Sequence, residues 1–201
     1  MKRQLFSIAT LLAAIAALSA CTSMNSQSGW VTLFDGTKPK TLDNWNRIGE
    51  DNWRMENGAV VMDHRSGKDS SYLVSKNSYQ DFQVRAEVWV SHDANSGIFF
   101  RASDPNKVGI QTAYEMNIYD EFATTKWGTG AIARRTEVDP MPKAGEKWST
   151  FEVIAKGTHF TVFMDGKKTV ELDDNTYPSG PIALQYAGGV VKWRKVEIKP
   201  L

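Results

Sequence analysis

The sequence predicts an all-β protein, an antiparallel two-sheet sandwich of the jelly-roll kind, and three observations carry that expectation. Asn57-Gly58 and Asp165-Gly166 each lie between short runs rich in apolar residues, and such dipeptides are the strongest short-range hairpin signal because both turn residues must adopt positive φ. Phe82 to Val90 alternates apolar and polar residues without a break, the period of two that a half-buried strand requires. No segment beyond the N-terminal region sustains a helical period, and many short strands with turn signals between them point to a sandwich.

Taken in order, the chain begins with a targeting segment, residues 1–20. Lys2 and Arg3 precede an apolar run from Leu5 to Leu18, shorter than the roughly 20 residues that cross a bilayer. It reads as the hydrophobic stretch of a signal peptide. Leu18-Ser19-Ala20-Cys21 resembles the lipobox of bacterial lipoproteins, in which cleavage leaves the cysteine as a lipidated N-terminus. Cys21 is the single cysteine, so no internal disulfide can form and lipid attachment accounts for the thiol. Residues 21–28 then read as the lipidated cysteine and a polar tether. Thr22 stands where an inner-membrane retention signal would have Asp, so a lipid-anchored protein of the cell envelope, at the outer membrane and facing the periplasm, is expected.

Residues 29–201 have the length of one domain with a sizeable core. Trp53 to Met62 forms the Asn-Gly hairpin. Phe82 to Val90 is a long strand with Gln83, Arg85, Glu87 and Trp89 opposite its apolar positions, and Asn95–Arg101 and Tyr114–Asp120 follow as two more strands. Thr150 to Ala155, Phe160 to Met164 and Lys167 to Glu171 make a three-stranded meander. Pro181 to Tyr186 and Val190 to Ile198 close the fold. The stretch from Tyr119 to Arg135, with Gly128 and Gly130, is the expected rim of a site. The formal charge of +1 becomes −1 without Lys2 and Arg3, so there is no basic field for nucleic acid.

The most informative strands are Asn95-Ser96-Gly97-Ile98-Phe99-Phe100-Arg101 and Tyr114-Glu115-Met116-Asn117-Ile118-Tyr119-Asp120. Alternation puts Ile98, Phe100, Tyr114, Met116 and Ile118 on one face and Asn95, Phe99, Arg101, Glu115, Asn117 and Tyr119 on the other. The second face mixes aromatic rings with a guanidinium, a carboxylate and amides, a combination suited to a polyhydroxylated ligand. Glu87 and Trp89 are expected to join it, and Trp127 to sit in its rim.

Six ordered segments carry a family resemblance: Gly29-Trp30-Val31-Thr32-Leu33-Phe34-Asp35-Gly36, Tyr79-Gln80-Asp81-Phe82, the Asn95 and Tyr114 strands, Thr129-Gly130-Ala131-Ile132, and Gly180-Pro181-Ile182-Ala183-Leu184-Gln185. In this order they resemble the 3-keto-disaccharide hydrolase family, also described as 3-keto-glucoside 1,2-lyase with 3-keto-2-hydroxy-glucal hydratase activity. The resemblance implies a concanavalin A-like sandwich with its site on the concave face of one sheet, and an oligosaccharide or 3-keto-glycoside as partner. That chemistry needs a base, a charge stabiliser and a proton donor. Glu115 is the expected base, Arg101 the charge stabiliser, and Asp120 an acid, a metal ligand or a turn cap. Asn95, Asn117 and Gln185 offer donors and acceptors to sugar hydroxyls.

Each residue also has a structural reading. Arg101 and Glu115 can form an ion pair between neighbouring strands, Asn95-Ser96-Gly97 can be a turn, and Gln185 can be satisfied by backbone. The chain departs from the family pattern at Asn117 in place of a glutamine, at Ala133 in place of a tyrosine, and at Tyr186-Ala187-Gly188 in place of an Asp-His-Gly type segment. These departures keep a non-catalytic glycan-binding lipoprotein open beside the enzyme. No His and carboxylate cluster has zinc spacing, while a harder divalent cation on Asp120, Glu115 and loop carbonyls stays open.

Overall fold

A computed structural model describes residues 29–49, 52–65, 67–122 and 126–201. The signal peptide, the lipidation site at Cys21 and the tether lie outside the described residues. The strands run in the order β1 (Val31–Asp35), β2 (Trp45–Ile48), β3 (Arg54–Glu56), β4 (Ala59–Met62), β5 (Ser71–Ser75), β6 (Phe82–Val90) and β7 (Asn95–Phe100). They continue as β8 (Tyr114–Tyr119), β9 (Trp148–Lys156), β10 (His159–Met164), β11 (Lys167–Asp173), β12 (Ala183–Gly188) and β13 (Val191–Pro200). A short 3-10 turn over Pro39–Asn44 joins β1 to β2.

Both expected tight turns form. Asn57 and Gly58 have φ of 49° and 76°, and Asp165 and Gly166 have φ of 50° and 76°, as the mirror-image turn that follows strand twist demands. The meander β9-β10-β11 extends through β6 and β13 to β4 and β3, with β1 also on β13, to make an eight-stranded antiparallel sheet. The second sheet has five strands in the order β2-β5-β12-β7-β8.

The core lies between the sheets and is built by alternation. Phe82, Val84, Ala86, Val88 and Val90 of β6 meet Ile98 and Phe100 of β7 and Tyr114, Met116 and Ile118 of β8. Aromatic rings join the layers: Phe100 stacks on Tyr114 at 5.2 Å, and Phe160 of the eight-stranded sheet contacts the two at 5.4 and 4.7 Å. Pairs of this kind add about 1 kcal/mol each beyond the area they bury.

Sheet membership corrects one expectation. β6 pairs with β9 and β13, so Glu87 and Trp89 project from the outer face of the eight-stranded sheet, across the core from β7 and β8. Glu87 is bound there by Arg194, and Lys192 lies over the Trp89 ring at 4.3 Å. Alternation tells which residues share a face of one strand; long-range pairing decides which sheet that face belongs to.

Candidate functional site

The outer face of the five-stranded sheet carries the site, and strand register assembles it. Tyr72, Gln185, Gly97 and Asn117 align across β5, β12, β7 and β8, and the next row of that face aligns Val74, Ala183, Phe99 and Glu115. Half of this face is a small apolar cluster of Tyr72, Val74, Phe99, Ala102, Ala113 and Ala183, roofed by Val108 and Ile110. Beside it opens a cleft of about 600 Å³ lined by Ser70, Asn95, Ile110, Glu115, Asn117, Phe122, Trp127, Ala133, Arg134, Gln185 and Ala187.

Gly97 makes the hollow. A Cβ there would stand 2.9 Å from Met116 O and 3.2 Å from Glu115 Oε1, so only glycine lets the glutamate lie across β7. The segment Gly130 to Ala133 runs along the free edge of β8, with Asn117 N donating to Ala131 O and Ala133 N to Glu115 O at 3.0 and 2.9 Å. It thereby covers an edge that would otherwise offer itself to another strand and forms one wall of the cleft.

Glu115 is 7% exposed and its carboxyl has neither a hydrogen bond nor an ion pair among the described residues. Burial alone pushes its pKa up to about 8, because the charged form loses its hydration without compensation. Burial also raises the Tyr72 hydroxyl, and the Glu115 charge adds to that rise. Among the described residues of the cleft, two further polar atoms are buried without a partner: Asn117 Oδ1 and Gln185 Oε1. Asn117 is held by its Nδ2 donating to Trp127 O at 2.7 Å, and Gln185 Nε2 lies 3.5 Å from both Ser70 Oγ and Tyr72 Oη. Buried polar atoms are normally satisfied. The cleft thus presents acceptor oxygens that fit the hydroxyl donors of a sugar.

The buried glutamate has a measurable consequence. Its folded pKa of about 8 exceeds the ordinary value of 4.5, so its contribution is fully present below the unfolded value and is lost as pH rises through about 8. Raising the pH from about 5 to about 9 is expected to cost on the order of 4 kcal/mol through this group. Urea unfolding of wild type and Glu115→Gln across that range checks it: the variant loses less stability, and identical slopes would count against the burial.

The structure brings Asn95, Glu115, Asn117, Gln185 and Trp127 together around the cleft. It separates Arg101 and Asp120 from them. Arg101 is 1% exposed and has φ of 53°; this left-handed residue breaks the alternation at the end of β7 and turns the side chain away from Glu115. Its Nε donates to Gln80 O at 2.9 Å and its Nη1 to Gly157 O at 2.8 Å, Asp81 Oδ1 lies 3.3 Å from Nη2, and the Phe160 ring is 4.9 Å from the guanidinium. Neither charge stabilisation in the cleft nor an ion pair with Glu115 is open to it.

Asp120 is likewise occupied. Its carboxylate accepts from Thr129 Oγ1 at 2.6 Å, from Ala144 N at 3.0 Å and from Gly145 N at 2.9 Å, so of its three expected roles it takes that of a loop cap. Asp120 and Glu115 do not converge, and among the described residues no group of three or more His, Cys, Asp or Glu is placed to hold a metal ion. His92 is exposed, with its backbone N–H donating to Glu146 Oε1 at 3.2 Å, and it does not line the cleft. Sequence reasoning missed Tyr72 and Arg134. The alternation of Ser71 to Ser75 could have supplied Tyr72; Arg134 follows from no pattern, since it sits in a turn.

Residues 29–199 match the family described as the 3-keto-alpha-glucoside-1,2-lyase-like domain. The chain belongs to this family. It is 31% identical over 85 residues to a 3-keto-disaccharide hydrolase of Bacteroides thetaiotaomicron, a match over 38% of this chain and 28% of that longer protein. A crystal structure assigned as a glycosyl hydrolase from Parabacteroides distasonis superposes with a TM-score of 0.70 at 19% identity, covering 86% of this chain and 99% of that one. The carbohydrate-binding module CBM66 of Bacillus subtilis superposes with a TM-score of 0.59 at 14% identity over 85% and 95% of the two chains. At these identities the structural likeness is one of fold, the antiparallel jelly-roll sandwich. Ala133 and Ala187, two of the positions where the chain departs from the pattern expected of the family, both line the cleft.

Proposed function

We propose that the cleft cleaves 3-keto-glycosides by elimination, with Glu115 as the base. The observation that carries this reading is a buried, unpartnered carboxyl with a pKa near 8 on the wall of a sugar-sized cleft, the tuning that a general base working near neutrality requires. A ketone at the third sugar carbon acidifies the hydrogen on the second. Glu115 takes that hydrogen as a proton, and its electron pair moves toward the ketone oxygen as an enolate, to which the amides of Asn95 and Gln185 can donate. Collapse of the enolate expels the glycosidic oxygen from the first carbon and leaves a double bond between the first and second. The departing oxygen takes back the proton from the Glu115 carboxyl, which lines the cleft. Addition of water across the new double bond makes the net reaction hydrolysis.

A second reading is a glycan-binding protein that keeps the cleft without the chemistry. It is favoured by the occupied Arg101 and Asp120 and by the alanines at positions 133 and 187. One assay separates the two: purified protein with a 3-keto-glucoside, with and without added divalent cation, followed by release of the aglycone. Release above the uncatalysed rate is expected; binding with no release would sink the enzyme reading. The N-terminal pattern around Cys21 supports a lipid-anchored protein of the outer membrane facing the periplasm, where such glycosides would reach the cleft.

A further inference from the structure

Arg134 stands on a turn that is fastened on both sides. Ala133 N donates to Glu115 O, and Arg135 N and Thr136 N both donate to Ile132 O, each at 2.9 Å; the Arg135 guanidinium is paired with Asp174 at 3.0 Å. Arg134 itself has φ of 58°, a left-handed conformation that strains a residue with a side chain. The turn spends that strain on presenting an arginine to the cleft. The side chain is exposed and, among the described residues, has no hydrogen bond or ion pair.

Of the described residues lining the cleft only Glu115 and Arg134 are ionisable. At pH 7 burial keeps most of Glu115 neutral, so the cleft carries a net positive charge beside the apolar walls of Ile110, Phe122 and Trp127, which focus its field. A second guanidinium reinforces it: Arg65 donates to Ala187 O at 3.0 Å, behind a residue of the cleft wall. We propose that the sugar bound here carries an anionic substituent, a carboxylate or a phosphate, and that Arg134 is the specificity-determining residue that pairs with it. This rests on the cleft being the sugar site, and it deepens that reading by naming the substrate class. The floor holds the neutral hydroxyls through Asn117 and Gln185, and the arginine at the mouth offers the fork that planar or tetrahedral oxyanions accept.

Titration calorimetry tests it with three probes that have no ketone: methyl glucoside, methyl glucuronide and glucose 6-phosphate. Wild type at pH 7 is expected to bind at least one anion about tenfold more tightly than the neutral sugar. That preference should shrink between about 50 and about 500 mM salt, and in Arg134→Gln it should fall below about twofold. Which anion is preferred tells carboxylate from phosphate. Equal binding of all three, undetectable binding of both anions, or a preference that survives Arg134→Gln would overturn the proposal. Because no probe is turned over, this outcome is independent of the cleavage assay: release of aglycone without an anion preference sinks only this inference, and an anion preference without release sinks only the catalytic reading.

Discussion

Glu115→Gln is expected to lower the turnover of a 3-keto-glucoside by on the order of 10²–10⁴ while leaving the fold intact. The substitution keeps the shape of the side chain over Gly97 and removes the group that can accept a proton. Because the carboxyl is held near pKa 8 by burial, the wild-type rate should climb about tenfold per pH unit below that value and level off above it. The sign follows from the role: a base works when deprotonated, so a rate that falls over this range would assign Glu115 to proton donation instead. Circular dichroism and the pH profile of aglycone release decide the matter together. A variant that stays folded and retains more than about a tenth of the wild-type rate would remove Glu115 from the chemistry.

The parts of this protein that were legible in its sequence are those governed by local rules. Asn57-Gly58 and Asp165-Gly166 specify their turns through backbone φ, and alternation along β6, β7 and β8 sorts core from surface residues. Glu115, Asn117 and Asn95 were therefore readable as a set, since β7 and β8 are neighbours in register, and Gln185 joined them through the family resemblance. What failed depended on distance. Glu87 and Trp89 obey the same alternation but belong to the other sheet, because β6 pairs with β9 and β13, strands that lie far along the chain. Asp120 looked like a chemical group until the backbone N–H groups of Ala144 and Gly145 were brought onto it. Tyr72 comes beside Gln185 only because β5 pairs with β12, and Arg134 lines the cleft only because its turn folds back along β8. Local pattern names the faces; pairing between distant segments decides which faces become a site.

Arg101 gives the sharpest test of that distinction, because it was expected to act on substrate and instead fastens the fold. Its guanidinium reaches the carbonyls of Gln80, just before β6, and Gly157, at the turn between β9 and β10, from the end of β7, so one side chain ties the two sheets together at this end of the sandwich. Arg101→Met fills much of the volume but leaves those carbonyls without donors in a buried setting, and is expected to destabilise the domain by about 3 kcal/mol or more. Arg101→Lys keeps the charge and loses the fork, so it should recover only part of that loss. Urea unfolding reads the stability, and aglycone release below the unfolding transition reads the chemistry. If Arg101 is structural, activity per folded molecule stays within about twofold of wild type in Arg101→Lys, whereas a charge stabiliser in the cleft would cost about 10²-fold or more. A stable Arg101→Lys variant with that loss of rate would return Arg101 to the chemistry and require the end of β7 to rearrange when substrate binds.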